Sequence, residues 1–432
     1  MHAFRLLLLA VLLASFAARA EDAPPADAQD DAVIERVGID EIRRFVSVFR
    51  AVKQAYVDPI DDATLMRAAI RGLLADLDPH SGYLDAEQAR SLDEQSSGAY
   101  DGLGLEVVQR PDRSLMVVAP IDDTPAARAG IRPGDVIVEI DGEAITADNA
   151  DTAIDALRGA PGSTVALTLV REGESEPLKL DLVRETIRVA SVRVRLLEPG
   201  FGYLRISHFQ ADTGRETAAK LTQLGKDGAL KGLVLDLRSN PGGLLNSAVE
   251  AADVFLDSGV IVSTRGRLPY SVAELRARRG DVLGGAPIVA LVDAGTASAA
   301  EVLAAALQDH RRAVVMGSPT FGKGSVQTVL PLDNGDSLKL TTARYYTPDG
   351  GSIQASGLKP DIALAEDLVL RRSGDRPPRL RERDLPGHLD AESTDSDAEG
   401  GPAAQEEDYA VREALALLKG IAVFGKRTAP TP

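Results

Sequence analysis

The sequence predicts a multi-domain α+β protein with helical N- and C-terminal regions, a small β-rich module and an α/β-layered body. Three observations lead there. At 432 residues the chain is too long for one ordinary core. Residues 185–365 alternate buried-strand and helix patterns, the mark of α/β layering. Residues 96–184 instead carry short strand signals punctuated by Gly and Pro turns. Composition narrows the function. The net charge of −17, from 65 acidic against 48 basic residues, argues against a nucleic-acid binder, because phosphate contacts need clustered Lys and Arg. The absence of cysteine removes disulfides, thiol nucleophiles and thiolate metal sites. His2, His80, His208, His310 and His388 show no HxH or HExxH spacing, so a histidine metal site is not expected.

Residues 1–20 read as a secretory signal: Arg5 is the charged start, Leu6 to Phe16 the apolar run, and Ala18-Arg-Ala20 a small-x-small cleavage site. Export to a periplasm of the Gram-negative type is expected. In residues 21–95, Ile42, Phe45, Val46, Phe49, Val52 and Tyr56 recur at helical spacing. A second helix is expected from Asp62 to Leu77, ended by the turn residues Asp78-Pro-His-Ser-Gly82. Both read as packing or self-association elements. Strand signals follow at Leu103 to Val108, Ser114 to Ala119, Asp135 to Ile140 and Val165 to Val170, with helix signals at Pro125 to Gly130 and Asn149 to Leu157. Together with Gly102-Leu-Gly-Leu105, Thr124-Pro-Ala-Ala-Arg-Ala-Gly130, Arg132-Pro-Gly-Asp-Val-Ile137 and Ile140-Asp-Gly142, residues 96–184 resemble a PDZ domain. Such a domain holds a peptide's C-terminal carboxylate on the amides of its glycine loop (here Gly102, Leu103, Gly104 and Leu105) while the peptide adds as a strand.

In the body, strands are expected at Gly202 to His208, Gly232 to Leu237, Pro287 to Val292 and Ala313 to Met316. Helices are expected at Thr213 to Leu224, Leu244 to Phe255 and Ser298 to Gln308, with Gly266 to Gly284 as a polar surface loop or flap. Residues 366–432 divide into a charged, Pro- and Gly-rich linker around 371–405 and a last helix from Asp408 to Phe424 carrying Val411, Leu415, Leu418 and Ala422 on one face. Self-association through the N-terminal helices and this last helix is expected, giving a homo-oligomer.

Ser298 stands at a strand-to-helix turn among small residues. There a helix N-terminus offers free amides to an oxyanion, although Ser is also an ordinary N-cap. Lys323 follows between two glycines and serves as a base only if its amine is held neutral; otherwise it is a loop charge. Gln327 has the reach to orient that amine. Gly242-Gly243 after the Gly232 to Leu237 strand suits an oxyanion hole or a plain turn. A histidine base is the competing arrangement: His310 lies roughly 18 Å down a continuous helix from Ser298, whereas His208 closes a strand and Asp236 has the chemistry to orient it.

At these residues the chain resembles the carboxyl-terminal processing peptidases, the tail-specific, Ser–Lys members of serine peptidase family S41. The resemblance spans nearly all of residues 35–365 and rests on Leu77-Asp-Pro-His-Ser-Gly-Tyr83, Gly98-Ala-Tyr-Asp-Gly-Leu-Gly104, Leu235-Asp-Leu-Arg-Ser-Asn-Pro-Gly-Gly-Leu244, Thr296-Ala-Ser-Ala-Ala-Glu301 and Pro319-Thr-Phe-Gly-Lys-Gly324. It implies an α/β peptidase core with crotonase/ClpP-like layering and an inserted PDZ domain. By the same resemblance Ser298 is the nucleophile, Lys323 the general base and Gln327 its orienting residue. The amides of Gly243, with Gly242 beside it, and Ala299 form the oxyanion hole, and Asp309 is structural. Ala300 and Ser239 stand where relatives often carry Ser and Asn. The family reading further implies protein substrates with free C-termini, among them cell-envelope proteins such as peptidoglycan hydrolases, and in some relatives an adaptor lipoprotein. Arg158, at the end of the second PDZ helix, is the candidate link between PDZ domain and protease body. A non-enzymatic PDZ scaffold on an inactive peptidase fold is the other class of function.

Overall fold

A computed structural model describes residues 37–110, 114–146, 149–226, 228–364 and 408–427. The signal-like residues 1–20 and the linker at 371–405 lie outside the described residues. The fold divides into two compact units between Ala69 and Ile70. In the first, helix α1 (Ile39–Ala55) begins with Asp40 and Glu41, whose charges favour the positive end of the helix dipole, and it buries none of its residues. Its apolar stripe, including Ile42, Phe45 and Val46, is exposed. Helix α2 (Asp62–Ala75) buries only Leu74. After the Asp78 turn come β1 (Gly82–Leu84), α3 (Ala86–Ser97) and β2 (Ala99–Gly102). α3 has no apolar stripe; a reciprocal capping box between Asp85 and Gln88 starts it and Gly98, at φ 70°, ends it.

The next module is built from β3 (Leu105–Gln109), β4 (Leu115–Pro120), α4 (Pro125–Arg128), β5 (Val136–Ile140), β6 (Glu143–Ala144), α5 (Ala150–Ala156), β7 (Thr164–Val170) and β8 (Leu178–Val183). The sheet order is β3-β4-β5-β7-β8, with β6 paired to β5. Alternation along the strands sends Leu115, Val117, Ile137, Val165, Leu167 and Leu169 into one core with Leu103 and Leu157. β9 (Glu185–Arg188) pairs with β2, so the chain enters and leaves the module side by side.

The larger core forms from β10 (Val192–Glu198), β11 (Phe201–Ile206), α6 (Thr213–Leu224), β12 (Gly232–Asp236), α7 (Leu245–Asp253), β13 (Val260–Gly266), β14 (Ala273–Arg276), β15 (Ile288–Val292), α8 (Ala299–Asp309), β16 (Ala313–Gly317), β17 (Ser325–Pro331), β18 (Ser337–Tyr346), β19 (Ile362–Ala363) and α9 (Tyr409–Arg427). Its main sheet runs β10-β11-β12-β15-β16-β19, parallel throughout except for the β10–β11 pair. Both faces are covered, which is why β12 and β15 are apolar without alternation. Leu233, Leu235, Ile288, Ala290 and Val292 pack on the side that carries the buried faces of α6, α7 and α8. Val234, Val289 and Leu291 pack on the other, against Val411, Ala414 and Leu418 of α9. α8 is buried from Ala299 to Leu307, which its run of alanines permits.

Two expectations change here. The apolar face of α9 does not stand free for self-association: it covers the core sheet, and the Arg238 guanidinium grips its start through both Asp408 oxygens at 2.7 and 2.5 Å. The stretch Gly266 to Gly284 is not all loop, because β14 within it pairs with β13. A second sheet, β1-β18-β13-β14 with β17 on β18, lies beside the main one.

Candidate active site

In an open parallel sheet, loops at the carboxyl ends of adjacent strands converge on one crevice. Here β12, β15 and β16 are consecutive neighbours in the sheet. Their carboxyl ends lead into Arg238 to Gly243, Asp293 to Ser298 and Ser318 to Lys323 respectively. Ser298, Ala299, Gly243, Lys323 and Gln327 all line one cleft of about 470 Å³. It is also lined by α3, through Ala89, Leu92, Asp93, Gln95 and Ser96.

Ser298 immediately precedes α8, at φ 56° and ψ −121°. A side chain at positive φ costs about 1–3 kcal/mol and persists only where neighbours enforce it. Those neighbours are identifiable. Ser298 N donates to Glu301 Oε2 at 2.7 Å, Ala297 N donates to the Asn240 carbonyl at 2.9 Å, and the Thr296 hydroxyl donates to the Leu237 carbonyl at 2.9 Å. The turn thus lifts the Ser298 hydroxyl into the cleft at the positive end of a buried helix, with the first-turn amides of α8 free of intrahelical acceptors.

Gly243 has φ 134°, and a Cβ on it would lie 2.2 Å from the Phe209 carbonyl oxygen. That approach is enforced by Leu244 N donating to the same oxygen at 2.8 Å. Among the described residues no acceptor takes the Gly243 N–H. Gly242 differs. Its N–H is donated to Asn240 Oδ1 at 2.9 Å and its carbonyl accepts from Phe209 N at 2.8 Å. Gly242 therefore builds the turn rather than donating to an oxyanion, and its want of a Cβ leaves room for Ser298, whose Cβ would be 2.8 Å away.

Two residues assigned no role from the sequence complete the site. Glu301 is fully buried on the first turn of α8. Its Oε2 accepts from the amides of Ser298 and Lys323 (2.7 and 2.9 Å), and its Oε1 accepts from Gly322 N (2.9 Å) and the Thr320 hydroxyl. One carboxylate thus ties the Ser298 turn to the Lys323 loop. Burial pushes its carboxyl up to about 7, against the pull of those four donors toward the anion. The Ser-x-x-Glu spacing of Ser298 and Glu301 was the available signal. The second residue is Tyr345, at the end of β18, whose hydroxyl donates to Ser298 Oγ at 2.9 Å. Nothing local in the sequence marks it.

Lys323 is partly buried on the cleft wall. Gln327 Nε2 donates to Ser325 Oγ at 3.0 Å and to Thr341 Oγ1 at 3.3 Å. His208 also lines the cleft, and burial lowers its pKa, but Asp236 does not serve it. The Asp236 carboxylate accepts from Arg238 and from the Tyr203 hydroxyl (2.7 Å) and pairs with Arg205. Burial works to raise the Asp236 carboxyl, yet Arg238 and Tyr203 hold it below the usual range. His310 bonds the Val260 carbonyl at 2.6 Å, and Asp309 accepts from Asp349 N at 3.1 Å.

Comparison with known proteins agrees with this layout. Residues 200–364 match peptidase family S41, residues 116–171 a PDZ domain and residues 12–88 the N-terminal domain of the activating protease CtpB. The chain is 43% identical over 388 residues to a carboxy-terminal-processing protease of Bartonella bacilliformis, covering 88% of each. The chain belongs to the carboxy-terminal-processing proteases of family S41. The carboxy-terminal processing protease CtpA of Bacillus subtilis is 37% identical over 315 residues, 73% of this chain and 67% of that one. The photosystem II D1 C-terminal processing protease is 33% identical in structural superposition, covering 76% of this chain and 94% of its own, with a TM-score of 0.44.

In this serine protease the PDZ glycine loop joins β2 to β3, and β3 is an end strand of its sheet. Gly104 has φ 76°, and a Cβ there would fall 2.4 Å from the Thr124 side chain. Arg158, just past α5, pairs with Glu94 of α3 at 2.5 Å and lies 5.6 Å over the Tyr100 ring. The PDZ domain therefore touches the same helix that walls the catalytic cleft. Among the described residues no helix is long and apolar enough to cross a membrane.

Proposed function

We propose that this protease is an exported, periplasmic endopeptidase that captures the C-terminal tail of protein substrates on its PDZ domain and cleaves them by a Ser298–Lys323 mechanism, with Gln327 orienting the lysine. The observation that carries the reading is the convergence of Gly243, Ser298 and Lys323 from three neighbouring strand ends on one cleft. The neutral Lys323 amine takes the Ser298 hydroxyl proton as Oγ bonds to the scissile carbonyl carbon. The resulting oxyanion accepts from the amides of Gly243 and Ala299. Collapse breaks the C–N bond, the Lys323 ammonium protonates the departing amine, and an acyl-enzyme remains. Lys323 then deprotonates the water that hydrolyses the ester. Neither metal nor cofactor enters this scheme.

The exposed edge of β3 suits strand addition by a substrate tail whose terminal carboxylate meets the amides of Gly102 to Leu105. The Arg158–Glu94 pair suits coupling of tail capture to the cleft. Export rests on Arg5, the apolar run from Leu6 to Phe16 and Ala18-Arg-Ala20. Cell-envelope proteins such as peptidoglycan hydrolases are the substrates this address brings within reach, and an adaptor lipoprotein is a partner of the same compartment. The exposed apolar stripe of α1 favours a homo-oligomer. The test is hydrolysis of a protein ending in apolar residues, with an amidated-tail version beside it. Wild type cleaves the free-tail form faster and Ser298→Ala cleaves neither. Equal cleavage by wild type and Ser298→Ala sinks the peptidase assignment of Ser298, and indifference to the free carboxylate sinks the PDZ role.

A further inference from the structure

The Leu77-Asp-Pro-His-Ser-Gly-Tyr83 segment has so far no task, yet it runs into a strand paired with β18, which sets Thr341 opposite Gln327 of the cleft. β1 pairs with β18, with Gly82 opposite Lys339. This brings the preceding turn against Thr341. Asp78 is almost fully buried and caps its own turn: Oδ1 accepts from the amides of His80 and Ser81, both at 2.8 Å. Its other oxygen accepts the Ser81 hydroxyl proton at 2.7 Å. Ser81 Oγ, with its only proton given away, accepts from Thr341 N at 3.1 Å and lies 3.5 Å from the Thr341 hydroxyl. Thr341 stands opposite Gln327 in the β17–β18 ladder, beside a bulge, and its Oγ1 accepts from Gln327 Nε2 at 3.3 Å.

The direction of donation along this chain follows from the carboxylate. An ionised Asp78 only accepts. Burial would raise its pKa, but the bonds from Ser81, His80 and Thr341 hold it below the usual carboxylate value, so it is the anion at neutral pH. Ser81 must then donate to Asp78, the Thr341 proton turns toward Ser81 and Asp78, and Thr341 Oγ1 faces Gln327 as an acceptor. An amide flanked only by hydroxyls would sit equally well in either of two flips. Here the NH₂ group is drawn to Thr341 and Ser325, which leaves the Gln327 carbonyl as its remaining hydrogen-bonding group.

We infer that Asp78 and Ser81 are positioning residues, acting through Thr341 to fix the flip of the Gln327 amide so that its carbonyl oxygen is the group offered to the Lys323 amine. The inference rests on the Ser–Lys reading with Gln327 as the orienting residue. It assigns the Asp78–Ser81 turn to the lysine side of the reaction, apart from the oxyanion turn and the PDZ domain.

The test is a double-mutant cycle on the full chain, read as kcat and KM with a short peptide substrate and with thermal stability recorded alongside. Ser81→Ala and Thr341→Val each remove one hydroxyl and keep the two amide bonds that Asp78 Oδ1 accepts. Each is expected to lower kcat about tenfold with KM within about twofold, the pattern of an interaction made in the reaction rather than in binding. Ser81→Thr is expected to restore the rate. In a Gln327→Ala background neither change lowers kcat further, because its route to the lysine has already been removed. An equal tenfold loss in both backgrounds, a wild-type rate in Ser81→Ala, or a loss that tracks unfolding alone overturns the inference. The underlying reading fails differently: Lys323→Met retains activity, or Gln327→Ala is as fast as wild type.

Discussion

Two glycine turns, Gly242-Gly243 in the catalytic cleft and Gly102 to Leu105 in the PDZ domain, do similar work with different surroundings. Each follows a strand and holds a glycine at positive φ, and in the proposed mechanism each presents amides to an anion. Gly243 is pressed against main chain: a Cβ would meet the Phe209 carbonyl oxygen at 2.2 Å, and that oxygen is fixed by the Leu244 amide. Gly104 is pressed against the Thr124 side chain, whose hydroxyl donates to the Ile121 carbonyl at 2.6 Å. The catalytic turn is thus enclosed by backbone that cannot yield. At the PDZ turn the atoms nearest the glycine belong to one side chain, Thr124 just before α4, while the Leu103 and Gly104 carbonyls accept from Ala126 N at 3.0 Å and Ile121 N at 2.9 Å. Chemistry needs donors fixed to within a fraction of an ångström, whereas tail capture tolerates adjustment.

The sharpest way to break this contrast is Gly243→Ala. It is expected to lower kcat by about 10²–10³-fold or more, the scale of losing one oxyanion donor, and to lower the melting temperature. A mild effect on both would show that the turn can move and that the enclosure is not what fixes it.

Glu301→Gln tests the same enclosure from beneath. It keeps the size but sets an NH₂ group against N–H donors, so kcat is expected to fall about 100-fold, or about 2.7 kcal/mol. A pH signature accompanies it. The folded value of about 7 lies above the ordinary 4.5, so this group binds more protons folded than unfolded between those values. Its contribution to stability is fully present below about pH 4.5 and is lost as pH rises through about 7. Melting temperature against pH should therefore slope less over that window in Glu301→Gln than in wild type; an unchanged slope would show that Glu301 does not titrate there.

Gly104→Ala is expected to raise KM for a tailed protein substrate about tenfold while leaving kcat on a short peptide unchanged, because only recognition is touched. Equal losses on both substrates would erase the distinction between the two turns. Smallest is Arg158→Ala. The Arg158 side chain is half exposed in its pair with Glu94, so the change is expected to be about two- to fivefold, confined to tailed substrates and weaker at high salt.

Local pattern carried much of this arrangement and failed where contacts were long-range. The apolar runs of β12 and β15 read as buried strands because both faces are covered, and Ser298 and Gly243 were marked by the turns that follow them. α3 escaped notice because its sequence, Ala86-Glu-Gln-Ala-Arg-Ser-Leu-Asp-Glu-Gln-Ser-Ser97, has no apolar stripe; only its capping box announces it. Tyr345 reaches Ser298 by way of a sheet pairing that no spacing reveals. For α9 the apolar face was legible, but its partner was not. Val411 and Leu418 fit a second copy or the chain's own sheet equally well until topology decides.

The central claim is that a lysine, brought by the third of three neighbouring strand ends, is the base for Ser298. The direct measurement is the hydrolysis rate, at equal concentrations of folded enzyme, of Lys323→Met against His208→Ala, which alters the other titratable group on the cleft wall. The Ser–Lys account predicts that Lys323→Met falls by about 10⁴-fold or to background while His208→Ala stays within about tenfold of wild type. A Lys323→Met enzyme that still turns over, beside a His208→Ala enzyme that does not, would contradict it.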